Sequence, residues 1–323
     1  MHMADALVST PVAIVAGLSS LALIAVSGKE IKKEERPNII PLMGVMGAFV
    51  FAAQMINFSI PGTGSSGHIV GGVLLASLLG PWAAFLTLVS VLIIQCLVFA
   101  DGGLLALGCN IVNMGAMTCL IAYPFIFRPL IKFPASSLRI ILVSIISCVI
   151  GLELGALAVT VETELSGVTA LPFAGFLGFM GGIHLLIGIG EGLATSAVLI
   201  FVQRARPSLL LPYSTPTSRK DKMSSKGFLI LFGVLALILG GFICFYASSN
   251  PDGLEWSIQK MTGEPELSTV VSGIAPEAAS VQDKTAVLPD YENSFSGILG
   301  GLATLILVWI FGTLVMTRKR NRK

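Results

Sequence analysis

The chain has 323 residues, of which 54% are hydrophobic and 12% are charged, and its formal net charge is +2 at pH 7. A soluble globular protein carries about 25% charged residues, so this composition excludes a soluble domain. The near-neutral balance also gives no support for nucleic-acid binding. Long apolar runs recur, each close to the roughly 20 residues with which a helix crosses a lipid bilayer. The sequence therefore predicts an all-α integral membrane protein.

Nine apolar segments are predicted to be helical spans. In chain order they cover residues 11–27, 37–57, 69–80, 81–100, 102–127, 137–160, 172–203, 227–247 and 295–316. The third is too short for a full crossing, and the seventh is long and interrupted by glycines, so we expect it to be kinked or divided. We group the first seven as a seven-helix bundle, residues 1–204. A cytoplasmic linker, 205–226, joins it to a two-helix hairpin, 227–323.

The basic residues predict the orientation of these spans. All but two of the 20 Lys and Arg residues lie in four regions, namely 29–36, 128–139, 204–226 and 318–323. The positive-inside rule places such regions in the cytoplasm. With nine spans, the amino terminus is then extracytoplasmic and the carboxyl terminus cytoplasmic, as expected for a multi-pass protein of the cell membrane.

The amino terminus, Met1-His2, has the composition of a metal chelate. The Met1 amine, the His2 amide nitrogen and the His2 imidazole can close a five-membered and a six-membered ring on one ion. A distant imidazole could supply a fourth nitrogen. Four nitrogens in a plane suit Ni(II) or Cu(II) better than Zn(II). Residues 1–9 precede the first helix, and we expect them to fold back between helices.

The richest polar stretch, residues 54–68, connects the second and third segments and ends at His68. Non-helical backbone near the bilayer is stable only when it is packed in protein or lines a cavity. The stretch is therefore a candidate binding loop that ends in His68, with Ser65 and Ser66 as candidates for the surroundings of the metal.

Further polar residues lie in and near the spans. We expect Asp101 to cap an outer helix start, where the helix dipole favours a carboxylate. Asn110 and Asn113 lie deeper and either bond to neighbouring helices or support the metal ligands. His184 and Glu191 are two turns apart on one helix face. Ionisable groups inside a span are usually functional or paired, so both are candidates for the surroundings of the metal.

Several of these segments resemble one family of metal transporters. They are Met1–Asp5, Phe51–Phe58, Gly62–His68, Gly80–Phe85, Phe99–Gly108, Gly188–Gly192 and Pro251–Trp256. The first six are similar to the substrate-binding membrane subunit of nickel/cobalt energy-coupling-factor transporters, the CbiM/NikM type. The last is similar to the accessory subunit, the CbiN/NikN type, so the chain resembles a fusion of the two.

The resemblance implies a function and a ligand set. Ni(II), with Co(II) as the alternative, would be the transported substrate, held by the Met1 amine, by the amide and ring of His2 and by the His68 ring. The partners implied are a transmembrane coupling (T) subunit and a pair of cytoplasmic ATPases. The chain has no GxxxxGK[ST] phosphate loop, so we expect no enzymatic ATP hydrolysis of its own.

The outer loop of the second part, residues 248–293, holds eight acidic residues against Lys260 and Lys284. We expect it to be poorly ordered beyond its first residues. Without His or Cys its carboxylates would bind nickel weakly, so it suits a gate or a loader.

Two alternative functions remain at this point. An intramembrane serine protease would use the Gly64–Gly67 stretch, Gly-Ser-Ser-Gly, with His184 as the base. A passive metal channel would need no partner proteins.

Overall fold

The structure, a computed structural model, describes residues 1–34, 36, 39–213, 221–267, 273–291 and 295–317. It is mostly helical, with helices α1 (Thr10–Glu34), α2 (Ile39–Gln54), α3 (Gly72–Leu79), α4 (Pro81–Phe99), α5 (Leu107–Leu130), α6 (Ser137–Ser166), α7 (Phe173–Ala205), α8 (Ser225–Gly241), α9 (Gly253–Thr262), α10 (Ala275–Thr285) and α11 (Ser296–Thr317). The middle of α5, Ile111–Phe127, has π-helical hydrogen bonding. The basic tail, 318–323, and residues 214–220 of the basic linker lie outside the described residues. The orientation predicted from them stays a prediction.

Each of the nine apolar segments contains a helix. Among the described residues, six helices are long and apolar enough to cross a membrane, namely α1, α4, α5, α6, α7 and α11. Helices α2 and α8 are shorter apolar helices, and the eight-residue α3 is buried along its whole length. The architecture is that of a multi-pass membrane protein.

Helix α7 is one undivided helix of 33 residues, so the glycines of the seventh segment do not split it. They serve close packing instead. A Cβ atom on Gly188 would lie 2.7 Å from the Cα atom of Val149, and one on Gly192 would lie 2.4 Å from that of Ile145. Small residues at such positions let two membrane helices approach until their backbones touch. Helix α6 therefore packs tightly along this face of α7.

A short antiparallel hairpin connects α2 to α3. Its strands are β1 (Phe58–Ile60) and β2 (Ser65–Gly67), and Ser59 lies opposite Ser66. Gly62 and Gly64 in the connecting turn have φ values of 78° and 77°, a left-handed conformation that favours glycine. Strand β2 ends immediately before His68, so the β1–β2 hairpin fixes the position of the His68 backbone.

The outer loop of the second part is more regular than the sequence indicated. Its described residues form helices α9 and α10. Helix α9 begins with a capping box: the Asp252 side chain accepts from the Glu255 N–H, and the Glu255 side chain accepts from the Asp252 N–H. The helix is followed by Gly263, whose φ is 89°. These two end signals stabilise a short helix. The Trp256 indole also donates a 3.0 Å hydrogen bond to the carbonyl of Thr63, in the β1–β2 turn, so α9 is attached to the β1–β2 hairpin.

Candidate metal centre

The amino terminus lies inside the protein. Met1 is 4% exposed and Met3 is fully buried. The backbone N–H of Met3 donates to Asn110 Oδ1 at 2.7 Å, and Asn110 Nδ2 donates back to the Met3 carbonyl at 3.2 Å. The Met1 amine lies 2.6 Å from Asp252 Oδ2. The fold-back expected for the first residues is thus present, and it ends against the second part of the chain.

The His2 ring is held in one orientation. Its Nε2 atom is 3.1 Å from Gln95 Oε1, and Gln95 Nε2 donates to Gln54 Oε1 at 2.8 Å. Since the Gln95 oxygen can only accept, the His2 Nε2 atom carries the proton in this contact. The Nδ1 atom lies 3.2 Å from Asp101 Oδ1, which also can only accept, so both ring nitrogens face acceptors in this structure. Nδ1 could bind a metal once it gives up its proton and the contact with Asp101. That atom is also the one that would close the six-membered chelate ring.

The His68 ring lies beside the His2 ring. The two rings stack with centroids 5.3 Å apart and an interplanar angle of 26°. His68 Nδ1 lies 3.1 Å from the Ile69 carbonyl, which can only accept, so Nε2 is the unprotonated nitrogen. Burial, and then the Met1 ammonium group, lower the pKa of His68 to about 4. The ring is therefore neutral at pH 7, as a metal ligand must be.

Buried carboxylate and amide groups secure the two chain segments that carry these nitrogens. Glu191 accepts hydrogen bonds from the backbone N–H groups of Val70 at 2.7 Å and Gly71 at 2.9 Å, immediately after His68. Asn113 Nδ2 donates to Glu162 Oε2 at 2.6 Å and lies 3.4 Å from the Met3 sulfur. These contacts act on the segments of Met3 and His68 and not on a metal position. Glu191 and Asn113 thus stabilise the chain segments next to the candidate ligands without facing the metal position themselves.

The serine pattern and His184 do not meet as a nucleophile and base. Ser66 Oγ donates to the Asn250 carbonyl at 2.7 Å, and Ser65 Oγ donates to the Ser66 carbonyl at 3.1 Å. His184 Nδ1 lies 2.8 Å from the Met180 carbonyl, and its buried Nε2 has no hydrogen-bond partner among the described residues. Ser65 Oγ also lies 3.3 Å from the Pro251 carbonyl, so both serines attach the β1–β2 hairpin to the second part of the chain. This geometry gives no support to the protease alternative.

Asp101 does not cap a helix, which corrects the sequence prediction. Helix α5 starts six residues later, at Leu107. The intervening backbone is occupied by the amino terminus, because the Gly103 N–H donates to the Met3 carbonyl at 2.9 Å. The Asp101 carboxylate instead faces His2 and accepts a 2.6 Å hydrogen bond from the Tyr291 hydroxyl.

Three residues at the candidate site were missed by sequence reasoning, namely Gln95, Asp252 and Tyr291. Gln95 had a signal, since an isolated amide in an otherwise apolar span usually bonds to another helix. Asp252 lies within the recognised Pro251–Trp256 segment, but nothing in the sequence placed it at the amine. Tyr291 had no signal. Its position depends on how the outer loop packs over the bundle.

A cavity of about 840 Å³ lies between the outer loop and the bundle, above His2 and His68. Among the described residues, its lining includes the acidic residues Asp5, Asp101, Asp252, Glu255, Glu266 and Asp290 and no Lys or Arg. The carboxyl groups favour the entry of a cation, because a cleft lined by one sign of charge concentrates the opposite ion.

Comparison with known families agrees with this arrangement. The family model CbiM, described as "Cobalt uptake substrate-specific transmembrane region", matches residues 2–209, more than half of the chain. The chain belongs to this family. A PDGLE-domain model matches residues 226–317, which cover α9, α10, α11 and all but the first residue of α8. The CbiM region is therefore joined in one polypeptide to a CbiN-like accessory domain, which confirms the resemblance found in the sequence.

Two similar proteins are described as fused nickel transport proteins, and a solved transition metal transporter matches part of the chain. A relative from Archaeoglobus fulgidus, described as a putative fused nickel transport protein NikMN, is 37% identical over 67% of this chain and 70% of its own length. A probable fused nickel transport protein LarMN from Lactiplantibacillus plantarum is 31% identical over 81% of this chain and 79% of its own. A solved structure titled as a truncated transition metal transporter is 31% identical, covers 62% of this chain and 98% of its own, and superposes with a TM-score of 0.55.

Proposed function

We propose that this chain is the substrate-binding component of an ATP-driven energy-coupling-factor importer and captures Ni(II) at the outer side of the membrane. The observation that carries the proposal is the meeting of the Met1 amine, the His2 ring and the His68 ring in one enclosed place. These groups are distant in sequence or lie at a terminus that is normally exposed. A buried terminus of this kind requires a reason, and metal chelation supplies one.

The donor set favours nickel. The amine, the amide nitrogen of His2, His2 Nδ1 and His68 Nε2 make four nitrogens, and a deprotonated amide is a strong-field donor. A square-planar arrangement of such donors suits Ni(II) better than Co(II) or Zn(II). Co(II) remains the alternative cargo, since the matched family is described by cobalt uptake. The relatives described as fused nickel transport proteins support nickel as the first choice.

Energy for transport must then come from partners. The expected partners are a transmembrane coupling subunit and a pair of cytoplasmic ATPases, because the sequence has no phosphate loop. A passive channel would take up nickel without them. Cells that carry this chain alone should therefore accumulate no radioactive nickel, whereas cells that also carry the coupling subunit and the ATPases should.

The ligand set is tested by nickel stoichiometry of the purified protein with its native amino terminus. His2→Ala and His68→Ala should each lose the metal, and the parent should give the diamagnetic, yellow-orange complex of planar nickel. His184→Gln is the matched histidine control, since the hydrogen bond of the His184 ring among the described residues goes to the Met180 carbonyl and not to a candidate ligand. Loss of nickel in that control, or a paramagnetic octahedral spectrum in the parent, would refute the four-nitrogen assignment.

A further inference from the structure

We propose that Asp252, which belongs to the accessory part, is a positioning residue of the metal site and holds the Met1 amine while that amine binds nickel. The inference rests on the proposed function, because it takes the amine as a ligand. It gives the Pro251–Trp256 segment a direct contact with a candidate metal ligand. The sequence had suggested only that the outer loop acts as a gate or a loader.

The two oxygens of Asp252 have separate tasks. Oδ1 accepts hydrogen bonds from the backbone N–H groups of Leu254 at 2.7 Å and Glu255 at 2.9 Å, which caps α9. Oδ2 faces the Met1 amine at 2.6 Å. The backbone N–H of Asp252 is itself bonded to Glu255 Oε2 at 2.8 Å. The carboxylate is therefore fixed to the start of a helix and presents one oxygen in a set direction.

The segment that carries Asp252 is anchored to the same elements that carry the histidines. The Pro251 carbonyl accepts a 2.8 Å hydrogen bond from the Ser66 N–H, two residues before His68. A Cβ atom on Gly253 would lie 2.9 Å from His184 Cε1, so only glycine lets the backbone approach α7 this closely. Docking of the accessory segment therefore sets the distance between the Asp252 carboxylate and the His68 hairpin.

The contact is compatible with metal binding. An amine that donates its lone pair to a metal keeps two N–H bonds, and one of them can still donate to Asp252 Oδ2. A carboxylate that accepts from a metal-bound nitrogen fixes the direction of that ligand's lone pair and increases its basicity.

The test is a nickel titration, by competition with a chelator, of the full-length chain with its native amino terminus. Asp252→Asn keeps the helix cap, because Asn caps as well as Asp, but it presents an N–H donor to the amine in place of an acceptor. We expect the dissociation constant for nickel to rise about 10-fold to 100-fold, the usual effect of losing such a partner. The planar nickel spectrum at saturation should not change, whereas the metal-free protein should melt at a lower temperature, because its Met1 ammonium loses a largely buried ion-pair partner.

Two further variants keep the result interpretable. Glu266→Gln removes a carboxylate that lines the same cavity and makes no contact with the amine, so it should leave the dissociation constant nearly unchanged. Asp252→Ser also keeps a capping oxygen but is too short to reach the amine, and it replaces Asp252→Asn should that variant fail to fold. Unchanged affinity in the Asp252 variant overturns the inference. Tighter binding overturns it as well, because the carboxylate would then compete with the metal.

Failure of the inference and failure of the proposed function give different results. A parent protein that binds nickel through His2 and His68, with Asp252→Asn unaffected, removes only the positioning role. A parent that keeps nickel after loss of either histidine removes the proposed function itself.

Discussion

Blocking the Met1 amine is the most direct perturbation of the site, either by acetylation or by one added residue. The structure leaves no space for the new group, because Met1 is 4% exposed and its nitrogen lies 2.6 Å from Asp252 Oδ2. An acyl carbon bonds at about 1.33 Å from nitrogen. It must therefore displace either the carboxylate or the metal, and the amide it forms is no longer a basic donor.

The size of the effect follows from the ion pair. Acylation removes the positive charge and leaves Asp252, whose side chain is only 16% exposed, without its partner. Removing one member of a buried ion pair costs about 3–5 kcal/mol. At about 1.4 kcal/mol for each factor of ten, the equilibrium between the buried and the displaced amino terminus shifts toward the displaced form by about 10²-fold to 4 × 10³-fold. Loss of the amine as a donor adds to this, so nickel should be absent after dialysis.

A removable fusion supplies the assay and its control. The chain is purified with an amino-terminal fusion whose protease leaves Met1 as the first residue, and nickel per chain is measured by mass spectrometry before and after cleavage. We expect no bound nickel before cleavage and one equivalent afterwards. Full occupancy in the uncleaved protein would refute the reasoning, since the amine could then be neither a ligand nor the partner of Asp252.

Three further substitutions are predicted from the packing. Gln95→Leu removes the acceptor that orients the His2 ring, and nickel affinity should fall about 10-fold to 100-fold in a chelator competition; unchanged affinity would contradict this role. Glu191→Leu leaves two buried N–H groups unpaired, at about 1–3 kcal/mol each, so thermal unfolding should occur at a lower temperature, with Glu191→Gln intermediate. Gly253→Ala places a methyl group 2.9 Å from His184 Cε1, and overpacking of about 1–3 kcal/mol should speed hydrogen exchange in α9 while leaving α7 protected.

Much of the architecture could be predicted because it depends on local properties of the chain. Apolar runs of sufficient length must become helices in a membrane, since only a helix pairs every backbone group within the segment. The glycines of α7 show the limit of this reasoning. The same residues are consistent with a kink or with close packing, and only the position of Val149 and Ile145 on α6 decides between them.

The candidate ligands could also be predicted, since the chelate of Met1 and His2 is a property of two adjacent residues, and His68 is one of only three histidines. Their surroundings could not. Asp101 was expected to cap a helix, but it faces His2 and Tyr291 because the amino terminus occupies the neighbouring backbone. Such a contact depends on which elements pack together.

By itself the sequence predicted a multi-pass membrane protein, its apolar helices and the candidate donor atoms, because hydropathy and the chemistry of a free terminus act within a few residues. The tertiary structure alone decided which groups surround those donors. Asp252 meets the Met1 amine across 251 residues of chain, and Gln95 meets His2 across 93. These contacts require α4, the β1–β2 hairpin and α9 to pack around the buried terminus. Each buried polar group there is paired with whichever element lies beside it.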